Sequence, residues 1–270
     1  MVFEVKHAAA SPIGSEGYES IFAKRGREYN HAMTQYPRAR AEEFLAAINA
    51  LNPITGETII DAPAGGGYLS SFLPPELGLN ILEVDPAVEF RQDQGARKRG
   101  RNPNDSRVYI APLTNIPVID NTADALVSIA GLHHAESLGA VFSEFARVLK
   151  PQGRVVILEV ETDSIVDRFL NGFVNANNPD GHKGRFVDEG FRAELANAGF
   201  TITEDRSLKY HWNFRDSRAM SRFASLMFGL DLADYDEIVA GISETLGFEE
   251  NEIGCRMNWG LRLLSAESGS

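Results

Sequence analysis

The sequence lacks the features of a disulfide-rich, a membrane-spanning or a nucleic-acid-binding protein. Its 270 residues include 1 cysteine, which excludes an intrachain disulfide and is typical of a reducing cytoplasm. No apolar run approaches the roughly 18 residues of a membrane span, and no charged-then-apolar signal opens the chain. The net charge of −12 argues against nucleic acid as a partner, and the basic run Arg97–Arg101 is expected to be a solvated loop. We therefore expect a soluble, cytoplasmic protein.

What the sequence does have is a regular alternation of strand and helix patterns in its first half. Hydrophobic residues make up 43% of the chain, enough for a full core. The alternation predicts an α/β fold with a doubly wound, mostly parallel, seven-stranded sheet and right-handed crossovers. The expected elements of this part are strands Thr58–Asp61, Ile81–Asp85, Arg107–Ala111, Ala125–Ala130 and Arg154–Val160, and helices Ala87–Arg99 and Leu138–Leu149.

The chain divides into three parts of what we predict to be one domain. Residues 1–52 hold a tail without periodicity and two helices, one from Ser15 and one after Pro37. Residues 53–160 form the core, and residues 161–270 hold two insertions and the remaining strands of the same sheet. Because both insertions leave the sheet where the strands' carboxyl ends lie, we expect them to form a lid with the N-terminal helices. The expected elements here are helices Ile165–Val174, Asp188–Ala198, Ser217–Phe228 and Tyr235–Leu246, strands Thr201–Tyr210 and Trp259–Leu264, and a tail over 265–270.

A small-residue loop follows the first predicted strand. Gly65 and Gly67 remove Cβ atoms where the backbone has to bend and a ligand has to come close. The short apolar segment Tyr68–Leu73 is expected to begin a helix, whose free N–H groups would face an acceptor such as a carboxylate. The stretch is therefore typical of the nucleotide-binding corner of a doubly wound sheet.

An acid at the end of the second strand sharpens this interpretation. Asp85 lies 20 residues after Gly65, where a carboxylate can accept hydrogen bonds from both ribose hydroxyls of an adenosine ligand. Asp85 can also cap the helix that opens at Pro86, and the two roles are compatible. A dinucleotide fingerprint would need a third glycine where Ser70 stands. The acids around the loop, with no lysine or arginine within it, suit a cationic ligand better than a diphosphate.

These residues resemble the class I S-adenosylmethionine-dependent methyltransferases, in particular small-molecule enzymes similar to the quinone-biosynthesis methyltransferases. The first motif of that family stands here as Asp61-Ala62-Pro63-Ala64-Gly65-Gly66-Gly67, and the likeness covers residues 55–160. It implies S-adenosylmethionine as the cofactor, with its methionine part in the glycine loop and its ribose on Asp85. Pro112 takes the place of the family's adenine-binding acid, so backbone groups at Leu113 and Thr114 would hold the adenine. The cofactor contacts implied in this way are Tyr29, Tyr36, Asp61, Ala62, Gly65, Gly67, Asp85, Pro86, Leu113, Thr114 and Ala130.

Two of these contacts, Tyr29 and Tyr36, come from the N-terminal helices, which close over the cofactor in methyltransferases of this class. A charged outer helix face is an equally good explanation for the residues around them. Cys255 lies in an apolar, strand-like stretch and is expected to be a buried hydrophobe and not a nucleophile.

Methyl transfer from a sulfonium is an in-line displacement, so the protein mainly has to align the two reactants and exclude water. His133 and His134 follow the fourth strand, and one of them can act as a base if the acceptor is a hydroxyl. The pair can equally well hold the loop by hydrogen bonds. None of the 6 histidines has a Cys, Asp or Glu at ligand spacing beside it, so we expect no metal site.

The function that these features predict is methyl transfer to a small, largely apolar or aromatic metabolite. Two alternatives remain open. One is a non-catalytic protein that binds S-adenosylmethionine as a partner or regulatory subunit. The other is a nicotinamide-dependent oxidoreductase, which would explain the fold but not Ser70 or the acidity around the loop. The sequence predicts no oligomeric state.

Overall fold

The computed structural model describes residues 18–91, 105–182 and 184–269. The expectations for the N-terminal tail, for the start of the first helix, for the end of helix Ala87–Arg99 and for the run Arg97–Arg101 concern residues outside these ranges. The strands are β1 (Thr58–Asp61), β2 (Asn80–Asp85), β3 (Asp105–Ile110), β4 (Ala123–Ile129), β5 (Leu149–Glu159), β6 (Phe200–Ser207), β7 (Tyr210–Phe214), β8 (Phe248–Asn251), β9 (Gly254–Trp259) and β10 (Arg262–Ser268).

Seven of these strands form one sheet in the order β3-β2-β1-β4-β5-β10-β6. All pairs up to β5 are parallel, while β10 runs antiparallel to both β5 and β6. The central parallel strands are apolar and buried, such as Ile59 and Ile60 in β1, as expected where both faces of a sheet are covered. Val108 and Ile110 of the edge strand β3 are exposed. The predicted doubly wound, mostly parallel, seven-stranded sheet is confirmed.

The helices lie on both faces and over the carboxyl edge of the sheet. Side-chain caps begin several of them, for example Asp188 before α6 and Asp216 before α7. The segment between β5 and α6 contains a continuous helical run over residues 165–177, whose middle, Arg168–Val174, is a π-helix. The helices are α1 (Tyr18–Gln35), α2 (Ala41–Leu51), α3 (Leu138–Val148), α4 (Ile165–Asp167), α5 (Asn175–Asn177), α6 (Glu189–Asn197), α7 (Ser217–Phe228) and α8 (Tyr235–Thr245).

Two predicted helix starts are 3₁₀ turns in the structure. The segment after the glycine loop forms only the turn Leu69–Ser71, because Pro74-Pro75 follows too closely for a longer helix. The described part of the helix predicted from Ala87 is the turn Val88–Arg91. The expectation of a helix N-terminus facing the glycine loop is therefore wrong.

The predicted strand Thr201–Tyr210 is two strands, β6 and β7, which belong to different sheets. The strand predicted at Trp259–Leu264 is shifted, since β9 ends at Trp259 and β10 runs on to Ser268, which removes the expected tail. Gly260 separates β9 from β10, and a Cβ there would lie 2.4 Å from the carbonyl oxygen of Leu208. The chain therefore bends between two strands whose patterns look continuous in the sequence.

Strands β7, β9 and β8 form a small second sheet, which the sequence did not predict. Together with α7 and α8 it makes up most of the second insertion. Cys255 in β9 is fully buried, 3.6 Å from the sulfur of Met220, and burial raises the pKa of its thiol to about 11. The expectation that Cys255 is a buried hydrophobe is confirmed. Within the described ranges, none of the helices combines the length and the apolarity that crossing a bilayer requires.

Candidate active site

The carboxyl ends of the parallel strands meet at one edge of the main sheet, and two cavities lie against this edge. The first, here called the loop cavity, has a volume of about 40 Å³ and lies between α1 and the glycine loop. The second, the lid cavity, has a volume of about 320 Å³ and lies between α1, the turn after β4 and the insertions. The residues that line both cavities are Phe22, Tyr29, Arg40 and Ala130.

Asp85 ends β2 and is fully buried beside the glycine loop. One carboxylate oxygen accepts hydrogen bonds from the N–H of Gly65 at 2.6 Å and from the hydroxyl of Tyr18 at 2.8 Å. The other accepts from the N–H of Ala87 at 2.8 Å, so the local capping role of Asp85 is confirmed. The carboxylate therefore fixes the loop of the neighbouring strand and still presents an oxygen to a hydroxyl group.

The glycines of the loop are required by its shape. Gly65 and Gly67 have φ angles of +54° and +72°, in the left-handed region that side chains disfavour. A Cβ at Gly67 would also lie 2.4 Å from a carboxylate oxygen of Glu83. Glu83 in turn accepts a hydrogen bond of 2.5 Å from the hydroxyl of Ser70, the residue that replaces the third glycine of a dinucleotide site. The loop is thus held tightly on the side away from the cavity.

Tyr18, at the start of α1, occupies the place expected for a ribose hydroxyl. Burial and the neighbouring Asp85 raise the pKa of its phenol, so it stays a hydrogen-bond donor at neutral pH. A carboxylate that accepts from a hydroxyl and from two N–H groups suits a ribose diol chemically. The loop cavity, however, has about 40 Å³, far below the roughly 300 Å³ of usual small-ligand sites. The Tyr18 end of α1 therefore has to withdraw before an adenosine ligand can enter.

The structure brings together some of the predicted cofactor residues and not others. Tyr29, Asp61, Gly65 and Ala130 line the loop cavity. Tyr36 instead packs edge-on against Phe214 and Phe223 in the lid. In the part of the chain that the structure describes, seven of the predicted contacts line neither cavity: Tyr36, Ala62, Gly67, Asp85, Pro86, Leu113 and Thr114. All of these cofactor contacts stay predictions.

The walls of the lid cavity are largely aromatic and aliphatic. Trp212 and Trp259 stack with ring centroids 4.0 Å apart, and Phe228 packs against both. Polar groups close the opposite side, where Lys24 of α1 forms an ion pair of 3.2 Å with Asp180 of the insertion. Sites for small ligands usually combine such apolar walls with few polar groups.

Arg40 is a buried cation between the two cavities that the sequence did not single out. Its guanidinium lies 5.2 Å from the ring centre of Phe44 and 5.3 Å from that of Trp212, and it pairs with the buried Glu43. Burial lowers the pKa of Arg40, but Glu43 outweighs this and holds the pKa above its ordinary value. The guanidinium of Arg40 also donates a hydrogen bond to the hydroxyl of Tyr29. Arg40 therefore supplies a fixed positive charge where the two cavities meet.

His133 and His134 form a 3₁₀ turn after β4, and both line the lid cavity. Glu159, the fully buried last residue of β5, holds this turn through the N–H groups of Leu132 and His133 at 2.8 and 3.2 Å. Its second oxygen lies 2.8 Å from Nδ1 of His133. The loop-holding interpretation of His133 is confirmed, while a catalytic role for either histidine stays a prediction.

A third histidine, His182, completes a cluster at this position. It comes from the first insertion, and its ring centroid lies 5.7 Å from that of His133 and 5.4 Å from that of His134. Burial, with the neighbouring imidazoles, lowers the pKa of His134 well below its usual value and that of His182 to about 3. Both rings are therefore neutral near pH 7. His182 is 48 residues from His134 in sequence, so no local spacing could have predicted the cluster.

Comparison with known proteins places residues 60–157 in a family described as a methyltransferase domain. The predicted resemblance to the class I S-adenosylmethionine-dependent methyltransferases is thereby confirmed for this stretch of the chain. The demethylmenaquinone methyltransferase of Clavibacter sepedonicus is 32% identical over 123 residues, which are 45% of this chain and 48% of that enzyme. This chain spans about half the length of the curated relatives it matches.

Solved structures share the fold of this chain. One is a phosphoethanolamine N-methyltransferase of Haemonchus contortus in complex with S-adenosylhomocysteine, with a TM-score of 0.61 at 14% identity. The match covers 96% of this chain and 61% of that enzyme. Another is the geranyl diphosphate C-methyltransferase of Streptomyces coelicolor in complex with Mg²⁺, geranyl diphosphate and S-adenosylhomocysteine, with a TM-score of 0.56 at 13% identity. The match covers 84% of this chain and 77% of that enzyme. Identities this low show a shared fold alone.

Proposed function

We propose that this protein transfers a methyl group from S-adenosylmethionine to a small, largely apolar or aromatic acceptor held in the lid cavity. The observation that carries the proposal is the shared wall of the two cavities. Tyr29, Arg40 and Ala130 line both, so a cofactor at the glycine loop and an acceptor in the lid cavity would meet there. The methyltransferase core at residues 60–157 supports the cofactor half of the proposal.

The cofactor, when bound, supplies an electrophilic methyl group, and the residues of the chain position and shelter it. Asp85 would accept from the ribose once Tyr18 has withdrawn, and the positive φ angles of the glycine loop let the backbone approach the methionine part. Asp61, which lines the loop cavity, adds negative charge near the sulfonium. The aromatic walls exclude water, which strengthens these interactions.

The character of the acceptor follows from the lid cavity. A volume of about 320 Å³ suits one small molecule, and stacked indoles favour a flat, unsaturated one. The curated relatives named demethylmenaquinone methyltransferase support a quinol-like ring as the first acceptor class to test. Arg40 would orient an oxygen of such a ring at the junction of the cavities.

The decisive experiment measures binding and turnover separately. Calorimetry with S-adenosylhomocysteine tests the cofactor site, and transfer of a labelled methyl group to reduced naphthoquinones and to simple phenols tests the acceptor. Val174→Trp, which fills the lid cavity from the π-helix, should abolish transfer and leave S-adenosylhomocysteine binding unchanged. Ile165→Trp, on an exposed position of the same helical run, should change neither.

Three outcomes contradict the proposal. Binding of a reduced nicotinamide cofactor without binding of S-adenosylhomocysteine would favour an oxidoreductase. Tight S-adenosylhomocysteine binding with no transfer to any small acceptor would favour a regulatory protein. Equal transfer by the wild type and Val174→Trp would place the acceptor outside the lid cavity.

A further inference from the structure

Three imidazoles from two distant parts of the chain converge on one wall of the lid cavity. His133 and His134 come from the turn after β4, and His182 comes from the first insertion. One ring nitrogen of each lies within 4.8 Å of those of the other two. Nitrogens bound to one tetrahedral zinc ion lie roughly 3.3 Å apart, as bond lengths of about 2.0–2.1 Å require. Small rotations of the side chains would therefore bring the three onto a common ion.

The contacts of the other ring nitrogens orient two of the rings. Nδ1 of His133 lies 2.8 Å from the carboxylate of Glu159, so Nε2 is the nitrogen left for a ligand. Nδ1 of His182 lies 3.2 Å from the side-chain oxygen of Asn171, which likewise leaves Nε2. A carboxylate or amide oxygen behind the outer nitrogen is the usual support of a metal-binding histidine.

His134 supplies an independent observation that points to a ligand in the cluster. Its Nδ1 is buried and finds no hydrogen-bond partner among the described residues. Leaving a buried polar atom unpartnered is costly, so native proteins rarely do so without a functional reason. An ion or a polar ligand group in the cluster would satisfy it.

We propose that His133, His134 and His182 form a binding site for a divalent transition-metal ion of the zinc type. Three imidazoles suit zinc, iron, cobalt, nickel or copper, whereas magnesium and calcium prefer oxygen ligands. Three protein ligands with a free coordination position are typical of a catalytic site and not of a structural one. Because all three histidines line the lid cavity, the free position faces the space assigned to the acceptor.

The role of that free position rests on the proposed function, although the site itself does not. A phenol or enol oxygen of the acceptor would bind there, and the ion would lower its pKa so that its proton passes to water. An acceptor of this class would be activated without a histidine acting as a base. The ion would also anchor the ring in one orientation next to Arg40.

The test uses the full-length chain without a histidine tag, stripped of metal by a chelator. Titration with Co²⁺, followed by its visible absorption, reports the number of ions bound and their geometry, and calorimetry with Zn²⁺ gives the affinity. We expect one ion per chain, with His182→Ala weakening binding by at least about 10-fold and Glu159→Gln by about 10–100-fold. His31→Ala, on an exposed face of α1, is the matched control and should bind as the wild type does.

His182 lies at an incompletely buried position, so His182→Ala should fold, and its thermal unfolding without metal should match that of the wild type. Absence of binding in the wild type, or equal affinity in His182→Ala and His31→Ala, overturns the proposal. Calorimetry with S-adenosylhomocysteine separates this from a failure of the proposed function. A protein that binds the ion but not the cofactor keeps the metal site and loses the methyltransferase assignment.

Discussion

Asp85 and Glu159 are buried carboxylates at the same edge of the sheet, and each holds a loop in place. We call their surroundings the first corner, at Asp85 beside the glycine loop, and the second corner, at Glu159 beside the turn after β4. Each ends a parallel strand, each is fully buried, and each accepts N–H groups from the loop after a neighbouring strand. Asp85 of β2 fixes the loop after β1, and Glu159 of β5 fixes the turn after β4. The sheet thus uses one device twice to fix the backbone that faces a ligand.

The difference lies in the side chain that each carboxylate also holds. Asp85 accepts from the hydroxyl of Tyr18, a residue at the end of a helix that has to move for a ligand to enter. Glu159 holds the imidazole of His133, which is part of the wall of the lid cavity. The first corner is therefore suited to exchanging one hydroxyl partner for another, and the second to keeping one ring in place. Mutations at the two corners should separate cofactor binding from catalysis.

The largest effect is expected for Asp85→Ala. The loss of charge-assisted hydrogen bonds to the ribose should weaken S-adenosylhomocysteine binding by about 100-fold in calorimetry. Asp124→Ala is the matched control, because Asp124 also accepts an N–H of a neighbouring strand, that of Thr58 at 3.0 Å, but at the opposite edge of the sheet. It should lower the melting temperature and leave the affinity unchanged. Wild-type affinity in Asp85→Ala would refute the ribose assignment.

A smaller effect, on turnover alone, is expected for Glu159→Gln. The carboxylate accepts from four donors, and an amide would turn one of its two oxygens into an NH₂ group that faces other donors. Turnover should fall about 30-fold, since misplacing such a turn costs about 2 kcal/mol. Binding of S-adenosylhomocysteine should stay the same.

The control for that variant is Glu144→Gln, which likewise replaces a carboxylate oxygen by an NH₂ group. Glu144 lies in α3 and accepts a hydrogen bond of 2.6 Å from the N–H of Ile116. It should reduce stability without changing turnover per folded molecule. If the two glutamate variants behave alike, the effect at Glu159 is one of general stability.

The smallest effect, and the only gain, is expected for Tyr18→Phe. Without its hydroxyl the residue no longer competes for Asp85, so S-adenosylhomocysteine should bind up to about 10-fold more tightly. Tyr235→Phe, which removes an exposed hydroxyl on α8, should have no effect. Weaker binding in Tyr18→Phe would mean that this hydroxyl contacts the cofactor and does not exclude it.

The sequence predicted where the glycine loop and Asp85 lie relative to β1 and β2, because these signals are local. Asp85 follows a run of apolar residues and stands at a fixed distance from the glycines, and the strand bounds of β1 were predicted to the residue. Glu159 follows Val155–Leu158 in the same manner, so an acid at the end of an apolar strand was a signal that could have been used there too. Both acids show the same local pattern, an acid at the end of an apolar strand, but only that of Asp85 belongs to a known motif.

The second corner could not be predicted in full because its parts come from separate stretches of the chain. Nothing near His182 indicates that its ring meets those of His133 and His134, since the contact depends on how the first insertion folds back. Arg40 resembles the other basic residues around it until the structure shows its guanidinium between two aromatic rings. Long-range packing also decided where β6 and β7 separate.

Hydrogen bonds connect the second insertion to the N-terminal helices. We therefore expect a change of acceptor specificity to involve both parts. The N–H of Asn213 binds the carbonyl of Ala39 at 2.9 Å, the indole of Trp212 binds Glu43 at 2.8 Å, and Arg25 binds the carbonyl of Phe228 at 2.8 Å. Residues that line the lid cavity thus come from two stretches of the chain, on either side of residues 60–157. A chimaera that exchanged only residues 161–259 with a relative would separate halves that fit each other. Transplanting specificity into or out of this protein therefore requires both stretches to be moved together.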